Sequence, residues 1–284
     1  MIMKMKCLSL LAGLLCFSAG AFAQDTNFWI FICFGQSNME GYPGLEAQDQ
    51  VSVDTRFQML AAVDFPKLDR KEGQWYTAIP PLCRPNNGIG PADYFGRTIV
   101  SNLPDNIRIG VINVAVAGCK IEMFNKTNYQ AYAATAPSWM KGIIKAYGGD
   151  PYQRLVDMAK LAQKDGVIKG ILLHQGESNT GQKDWPDKVK GVYENLIQEL
   201  NLPSDIPLVA GEVVNADVQG QCAAMNPIID DLPKTIPNCS VASSKGCPCR
   251  ADHLHFTPAG YRILGARYGE KMLTALGYPV AGAK

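Results

Sequence analysis

Apolar runs of strand length alternate with segments that carry helix-start signals along most of this chain. The strongest apolar runs cover 28–34, 107–116, 167–174 and 207–213, and a shorter one lies near Ser240. A run without polar interruption is typical of a strand buried on both faces of a sheet. Helix starts are predicted at Pro91, Asp150-Pro151, Trp185 and Thr257-Pro258, because a capping residue and an early proline favour helix initiation.

This order of elements predicts an α/β protein. Strands that alternate with helices favour a parallel sheet with helices on both faces, since each crossover places a helix against the sheet. The stretch 41–90 breaks the alternation, because it is polar and interrupted by Pro and Gly. No strand or helix is predicted there.

The first 23 residues resemble a secretory signal peptide. Lys4 and Lys6 provide a positive start, an apolar stretch follows, and Ala21-Phe22-Ala23 ends it with small residues. We expect cleavage after Ala23 and a secreted or periplasmic protein with a single domain over 24–284. A membrane anchor is the alternative, but the apolar stretch is short for a span.

The charge balance narrows the class of partner. The chain has 27 Lys and Arg against 26 Asp and Glu, whereas binding to nucleic acid requires a basic face. Nucleic acid is therefore not an expected partner. No second apolar segment reaches the length of a membrane span, so no membrane association is expected after cleavage.

Cysteines remain frequent beyond the signal segment. Cys33 falls inside the first apolar run and is expected to be a packed free thiol. One disulfide is expected within the late cluster, which consists of Cys222, Cys239, Cys247 and Cys249. Spacing alone leaves its connectivity open.

Chemically active residue types follow the predicted strands. Residues 35–38 (Gly-Gln-Ser-Asn) follow the first run, 117–119 (Ala-Gly-Cys) the second, and 174–179 (His-Gln-Gly-Glu-Ser-Asn) the third. Ligands of parallel sheets bind at the carboxyl ends of the strands. We therefore expect these three segments to form one site, together with 252–255 (Asp-His-Leu-His) before the last helix.

Ser37 is the candidate nucleophile of this site. A serine needs a base, a group that orients the base, and donors for the developing oxyanion. His255 is the candidate base, and Asp252, three residues earlier, can reach its imidazole within one turn. Taken alone, Ser37 would more often be a turn or cap residue. The missing second glycine of Gly-x-Ser-x-Gly disfavours the α/β-hydrolase fold.

The blocks GQSNMEG, NVAVAGCKIEMF, HQGES and DHLHFTPAGYR resemble the ordered blocks of the SGNH hydrolases. They are most similar to the sialate O-acetylesterase-like branch, which includes the acetyl xylan esterases of carbohydrate esterase family 6. The resemblance implies a three-layer α/β/α sandwich with a flavodoxin-like parallel sheet. It also implies a cofactor-independent serine esterase that removes acetyl groups from an acetylated carbohydrate, whether xylan, sialic acid or another glycan.

The resemblance also implies residue roles. It makes Ser37 the nucleophile and His255 the base, with Asp252 as the orienting acid and Glu177 as its rival. Local spacing favours Asp252. The implied oxyanion donors are the backbone amides of Ser37 and Gly118 and the side chain of Gln175, and Gln36 and Asn38 are further candidates for oxyanion or substrate contacts.

Three further expectations concern other residues of these segments. A pocket wall is expected from residues that can meet a sugar ring or simply pack: Trp75, Tyr76, Arg84, Asn86 and Asn87. His174 is expected to pack near the site, where it could orient Gln175, and His253 to face solvent.

The competing functional classes are a noncatalytic glycan-binding protein and a zinc protein. The zinc protein would use Cys247, Cys249, Asp252, His253 and His255, although their spacing is unusual for zinc.

Overall fold

A seven-stranded mixed sheet forms the centre of the molecule. We describe it from a computed structural model covering residues 24–42, 44–278 and 280; the expected signal peptide lies outside these residues. The strands are β1 (Asp25–Gly35), β2 (Phe57–Leu60), β3 (Trp75–Thr77), β4 (Arg108–Ala115), β5 (Gly166–His174), β6 (Leu208–Gly211) and β7 (Cys239–Ala242). Their order across the sheet is β3-β2-β4-β1-β5-β6-β7.

Helices cover both faces of this sheet. The longer ones are α3 (Pro91–Ser101), α5 (Ser138–Ala146), α6 (Pro151–Ala162), α7 (Trp185–Leu200) and α10 (Pro258–Ala275). The short ones are α1 (Ser37–Glu40), α2 (Ala47–Gln50), α4 (Tyr129–Ala134), α8 (Asn226–Asp230) and α9 (Leu232–Thr235). None of the helices in the described part of the chain is both long and apolar enough to cross a membrane.

Side-chain alternation along β1 explains the layering. Phe31 packs edge-on against Phe95 of α3, with ring centroids 4.9 Å apart. Phe34, an odd number of positions away, points to the other face and packs against Phe124 at 5.2 Å. Helices α3 and α10 pack together on the first side, whereas α6 and α7 contact each other and the segment around Phe124. The expected α/β/α sandwich is confirmed.

The helix-start signals are satisfied locally. The Asp150 side chain accepts a hydrogen bond from Gln153 N at 3.0 Å at the start of α6. Thr257 Oγ1 accepts one from Gly260 N at 3.2 Å at the start of α10. Free N–H groups of a first helical turn are stabilised by such caps. These starts therefore agree with the sequence prediction.

The stretch 41–90 differs from its prediction as a region without strands. It contains β2, which pairs in parallel with β4, and β3, which pairs antiparallel with β2 at the edge of the sheet. The sheet is therefore mixed and not purely parallel. Strands of four and three residues are too short for a periodic signal in the sequence, and they form because β4 offers a free edge.

Candidate active site

Ser37 lies at the carboxyl end of β1, where the strand turns directly into α1. Gly35 has a φ of +153°, and a Cβ there would lie 2.0 Å from His174 O. Glycine is needed at this position because the ends of β1 and β5 approach so closely. Gln36 N then donates to His174 O at 3.0 Å. Ser37 is half-buried, whereas Gln36 and Asn38 on either side of it are buried.

Ser37 Oγ lies 3.0 Å from Nε2 of His255. Nδ1 of the same imidazole lies 2.8 Å from Asp252 Oδ2, while Asp252 Oδ1 accepts hydrogen bonds from Leu254 N and His255 N, both at 3.0 Å. With Asp252 ionised, Nδ1 carries the proton and Nε2 is free to accept from the serine hydroxyl. The three side chains therefore form one continuous hydrogen-bonded chain.

The Asp252 carboxyl is held in its ionised form. Burial raises the pKa of Asp252, but hydrogen bonds from the backbone and imidazole of His255 and from Leu254 N outweigh burial. Together they lower the pKa from 3.8 to about 2. An ionised partner fixes the tautomer of the imidazole and stabilises its protonated form.

Glu177 is not part of the hydrogen-bonded chain of Ser37, His255 and Asp252. Its Oε1 accepts a hydrogen bond from Asn38 Nδ2 at 2.6 Å, and the same nitrogen lies 3.0 Å from Leu254 O. Asn38 Oδ1 accepts from Tyr261 Oη at 2.7 Å. Burial raises the pKa of Glu177, but the opposing effects of His174 and of the Asn38 amide are larger together, so the net shift of the pKa is downward. Glu177 thus contacts the loop of His255 through Asn38 and not the imidazole itself.

His174 is buried behind Glu177. Tyr268 Oη donates to Leu173 O at 2.6 Å, so its oxygen accepts from His174 Nδ1 at 3.0 Å. His174 Nε2 lies 3.7 Å from Glu177 Oε1, an ion-pair distance longer than a hydrogen bond. The expectation that His174 packs near the site agrees with this placement. Its partners, however, are Tyr268 and Glu177 and not the side chain of Gln175.

Gln175 differs from its predicted role as an oxyanion donor. Its Nε2 donates to Asn179 Oδ1 at 2.7 Å and Cys119 O at 3.2 Å, and its Oε1 accepts from Trp185 Nε1 at 2.5 Å. The side chain is buried and does not line the pocket. The Gln36 amide lies 3.0 Å from Gln175 Nε2 and is the one that reaches the pocket wall. The β5 end therefore uses Gln175 to hold the neighbouring loops together.

Two residues of the pocket wall are the candidates to donate a backbone N–H to an oxyanion. Both Ser37 and Gly118 line the pocket, and neither backbone N–H donates a hydrogen bond to another described residue. Gly118 has a φ of +66°, a conformation that glycine adopts without strain. Ser178 Oγ donates to Gly118 O at 3.0 Å and so holds this turn.

Glu40 anchors the turn that carries Gly118. The sequence analysis did not assign a role to Glu40, although this residue belongs to the GQSNMEG block. Its Oε1 accepts from Ala117 N at 2.8 Å and pairs with Arg84 Nη2 at 2.8 Å. Asn87 Nδ2 adds a hydrogen bond to Oε2 at 3.2 Å. Burial raises the pKa of Glu40, against the lowering effect of Arg84. The sequence signal for such a role was a carboxylate two residues after Asn38 and without polar side chains next to it.

The pocket has a volume of about 540 Å³, and only part of its expected wall is present. Asn87 lines it, and Arg84 lies behind Glu40. Trp75 and Tyr76 do not line it. Trp75 packs against Phe28 with ring centroids 4.8 Å apart and donates to Asp165 at 2.9 Å, near the amino ends of β1 and β5. Strand β3 lies at the edge of the sheet, separated from β1 by β2 and β4, and this position keeps the two rings away from the site.

Other side chains supply the rest of the wall. The structure adds Tyr42, Trp139, Gln221, Cys222 and Leu254. The Tyr42 ring lies 4.4 Å from the His255 ring, between centroids. Gln221 is tied to the same loop, since its N and Nε2 donate to His253 O at 2.9 Å and Asp252 O at 2.8 Å. Leu254 belongs to the 252–255 segment that the sequence already assigned to the site, whereas Trp139, Gln221 and Cys222 come from loops and a helix far away in the chain and carry no local signal.

The late cysteines do not form the expected disulfide. All four are free thiols: Cys222, Cys239, Cys247 and Cys249. Cys239 is buried in β7, Cys247 contacts Arg267 at 3.5 Å, and Cys222 contacts Glu177 O at 3.6 Å. They point to different neighbours, so the fold does not pair them. The buried free thiol expected at Cys33 is present.

The residues of the zinc alternative are also separated by their partners. Cys249 Sγ and His253 Nδ1 lie 3.8 Å apart, and His253 Nδ1 lies 3.1 Å from Val218 O. Asp252 and His255 pair with each other. Within the described residues, no group of three or more His, Cys, Asp or Glu side chains is arranged to hold a metal ion. His253, expected to face solvent, is half-buried.

Comparison with known proteins agrees with this fold. Residues 27–274 match the family model described as "Carbohydrate esterase, sialic acid-specific acetylesterase". The chain belongs to this family of acetylesterases. A probable carbohydrate esterase of Arabidopsis thaliana is 23% identical over 279 residues, which cover 86% of this chain and 90% of that protein.

Solved structures show the same architecture. A crystal structure of an Arabidopsis thaliana protein superposes with a TM-score of 0.66 at 22% identity, over 87% of this chain and 98% of that one. The structure titled NanS gives 0.62 at 17% identity, over 87% and 97%. A carbohydrate acetylesterase from Xanthomonas citri gives 0.61 at 16% identity, over 87% and 57%. At these identities the likeness concerns the fold.

Proposed function

We propose that this protein is a serine-dependent carbohydrate O-acetylesterase that removes acetyl groups from acetylated glycans such as xylan. The observation that carries the proposal is the hydrogen-bonded chain Ser37–His255–Asp252, which ends in a pocket beside two backbone N–H groups that have no hydrogen-bond partner among the described residues. Membership of an acetylesterase family supports the same reaction.

Acylation begins when Ser37 Oγ attacks the acetyl carbonyl carbon and His255 Nε2 takes the hydroxyl proton. The carbonyl oxygen becomes an oxyanion, to which the backbone N–H groups of Ser37 and Gly118 donate. The tetrahedral intermediate collapses, the sugar oxygen leaves with the proton from His255, and an acetyl ester on Ser37 remains. Asp252 stabilises the imidazolium that forms transiently.

Deacylation uses the same groups. His255 takes a proton from water, and the hydroxide oxygen attacks the acetyl carbon of the ester on Ser37. The second tetrahedral intermediate collapses, its bond to Ser37 Oγ breaks to release acetic acid, and Ser37 Oγ takes the proton back from His255. The net reaction consumes one water and yields a sugar hydroxyl and acetic acid.

The pocket favours an uncharged sugar over sialic acid. None of the described residues that line it is Lys or Arg, and the buried carboxylate of Glu177 forms part of its wall. The carboxylate of an acidic sugar would lose water there without a cation to pair with, which is unfavourable. Sialate O-acetyl ester hydrolysis is the second candidate, supported by the description of the family.

Ser37→Ala tests the mechanism. We expect this variant to lose nearly all hydrolysis of p-nitrophenyl acetate and acetylated xylan while its thermal unfolding stays close to that of the wild type. Covalent labelling of the wild-type protein by a serine-directed phosphonate should disappear in the variant. Retained turnover in a folded Ser37→Ala protein would refute the proposal.

We also propose export of the protein, on the basis of the amino-terminal sequence pattern. The seven cysteines beyond that segment are compatible with this as free thiols, since most of them are buried. Amino-terminal sequencing of the protein recovered from its producing cells should begin at Gln24. A chain that begins at Met1 would contradict the proposed cleavage.

A further inference from the structure

Trp139 combines exposure with a position at the pocket. Its side chain is 57% exposed, whereas Trp29 and Trp185 are buried. An exposed indole has a large apolar surface in contact with water, which is unfavourable unless a partner covers it. Trp139 lines the same pocket as Ser37 and His255. Its exposed surface is therefore continuous with the space where the ester must bind.

The indole lies against the proposed oxyanion site. Helix α5 begins directly after Pro137 and buries Met140 and Ile144 on one side, which leaves Trp139 on the other. The indole Cη2 would lie 2.7 Å from a Cβ at Gly118. The ring edge therefore packs on the glycine backbone, close to the proposed oxyanion donor Gly118 N.

We propose that Trp139 determines substrate specificity by stacking its indole on the ring of the acetylated sugar; this inference rests on the proposed function. Once the acetyl carbon lies beside Ser37 Oγ and its oxygen faces Gly118 N, the sugar extends outward past the residue that borders Gly118. An indole offers a flat apolar surface that matches the C–H face of a pyranose. Small acetate esters do not extend far enough to use this surface fully.

The experiment compares two esters in each variant. We would measure kcat/KM for a mono-O-acetylated methyl xyloside and for ethyl acetate by titrating the released acid. We expect Trp139→Ala to lower the ratio of the two values about tenfold, mostly through a higher KM for the glycoside. Trp139→Phe, which keeps a flat ring, should recover most of the ratio.

Tyr278→Ala is the matched control, because Tyr278 is also an exposed aromatic residue, at 42%, but packs against Trp29 away from the pocket. It should leave the ratio at the wild-type value. A ratio in Trp139→Ala within twofold of the wild type would overturn the inference, as would a Phe variant no better than Ala. A wild-type protein that hydrolyses neither ester would instead overturn the proposed function, and this inference with it.

Discussion

Asn38 Nδ2 lies 2.6 Å from Glu177 Oε1, so the buried acid of the β5 end is bonded to the residue that follows Ser37. The same amide nitrogen reaches Leu254 O, next to His255. Glu177 therefore holds the loops of the proposed nucleophile and base together, whereas Asp252 contacts the imidazole directly at 2.8 Å. The two acids that compete for one role in the sequence have separate positions in the structure.

This separation predicts different effects of two isosteric substitutions. We expect Asp252→Asn to lower kcat by about 10²–10⁴, because an amide favours the wrong tautomer of His255. Glu177→Gln retains an acceptor for Asn38 Nδ2, so its kcat should fall less than about tenfold. Both are measured with p-nitrophenyl acetate.

Thermal unfolding separates loss of chemistry from loss of structure in these two proteins. Glu177→Gln should have the lower melting temperature, since it weakens a buried charge-assisted hydrogen bond from Asn38 Nδ2, whereas the Asp252 side chain is partly exposed. An inactive Glu177→Gln protein beside a nearly normal Asp252→Asn protein would reverse the assignment of the orienting acid.

Gly118 provides a second test, of the turn beside Ser37. Gly118→Ala adds a Cβ at a φ of +66° and 2.7 Å from Trp139 Cη2, so either the turn or the indole must move. We expect kcat to fall by about 10²–10³, the typical effect of losing one oxyanion donor. The measurement is steady-state hydrolysis of p-nitrophenyl acetate.

Gly142→Ala is the control for that substitution. Gly142 lies in α5, three residues after Trp139, and a Cβ there has no atom within 4 Å. Alanine favours a helix, so this variant should be as active as the wild type and slightly more stable. Equal kcat in the two alanine variants would argue against a role for the Gly118 turn.

Glu40 predicts a contrast between a buried and an exposed ion pair. Glu40→Gln removes the charge that pairs with Arg84. The side chain of Glu40 is 4% exposed and that of Arg84 is 17% exposed. Leaving a largely buried cation unpaired should lower the free energy of unfolding by about 3 kcal/mol. Urea unfolding measures this value.

Glu46→Gln offers the matched comparison, because Glu46 also pairs with an arginine, Arg262, at 2.6 Å but is 49% exposed. Its expected effect is much smaller than that of Glu40→Gln, because Glu46 is exposed and Arg262 keeps Asp49 Oδ1 as a partner at 2.8 Å. Similar losses of stability in the two variants would show that burial of Glu40 does not matter.

Asp93 predicts a pH-dependent stability. Burial raises its pKa from 3.8 to about 7, although its hydrogen bond from Gly90 N and the charge of Arg97 act in the opposite direction. Between about pH 4 and 7 the folded protein then binds more protons than the unfolded chain, so this group makes stability fall as pH rises.

Asp93→Asn should remove that dependence while keeping an acceptor for Gly90 N. Urea unfolding is measured at pH 5 and at pH 8. From pH 5 to pH 8, we expect the free energy of unfolding of Asp93→Asn to increase relative to that of the wild type. A difference between the two proteins that is the same at both pH values would contradict the raised pKa.

Much of the fold follows from short-range signals. The runs at 28–34 and 167–174 correspond to β1 and β5, and the helix predicted to start at Trp185 begins at that residue in the structure. Apolar runs, caps and early prolines act within a few residues and are therefore visible in the sequence. Strands β2 and β3 were missed because their pairing with β4 and with each other, and not their own composition, makes them strands.

The sequence by itself determined the order of the four strong apolar strands and of the helices that start near Pro91, Pro151, Trp185 and Pro258. It also determined the residue types available at the strand ends, including Ser37, Asp252 and Glu177. Only the tertiary structure decided how these side chains are used. It placed Asp252, and not Glu177, against His255, turned Gln175 toward Trp185, and brought Trp139 to Gly118. Such choices depend on side-chain directions and on contacts between loops far apart in the chain, and local patterns carry no information about either.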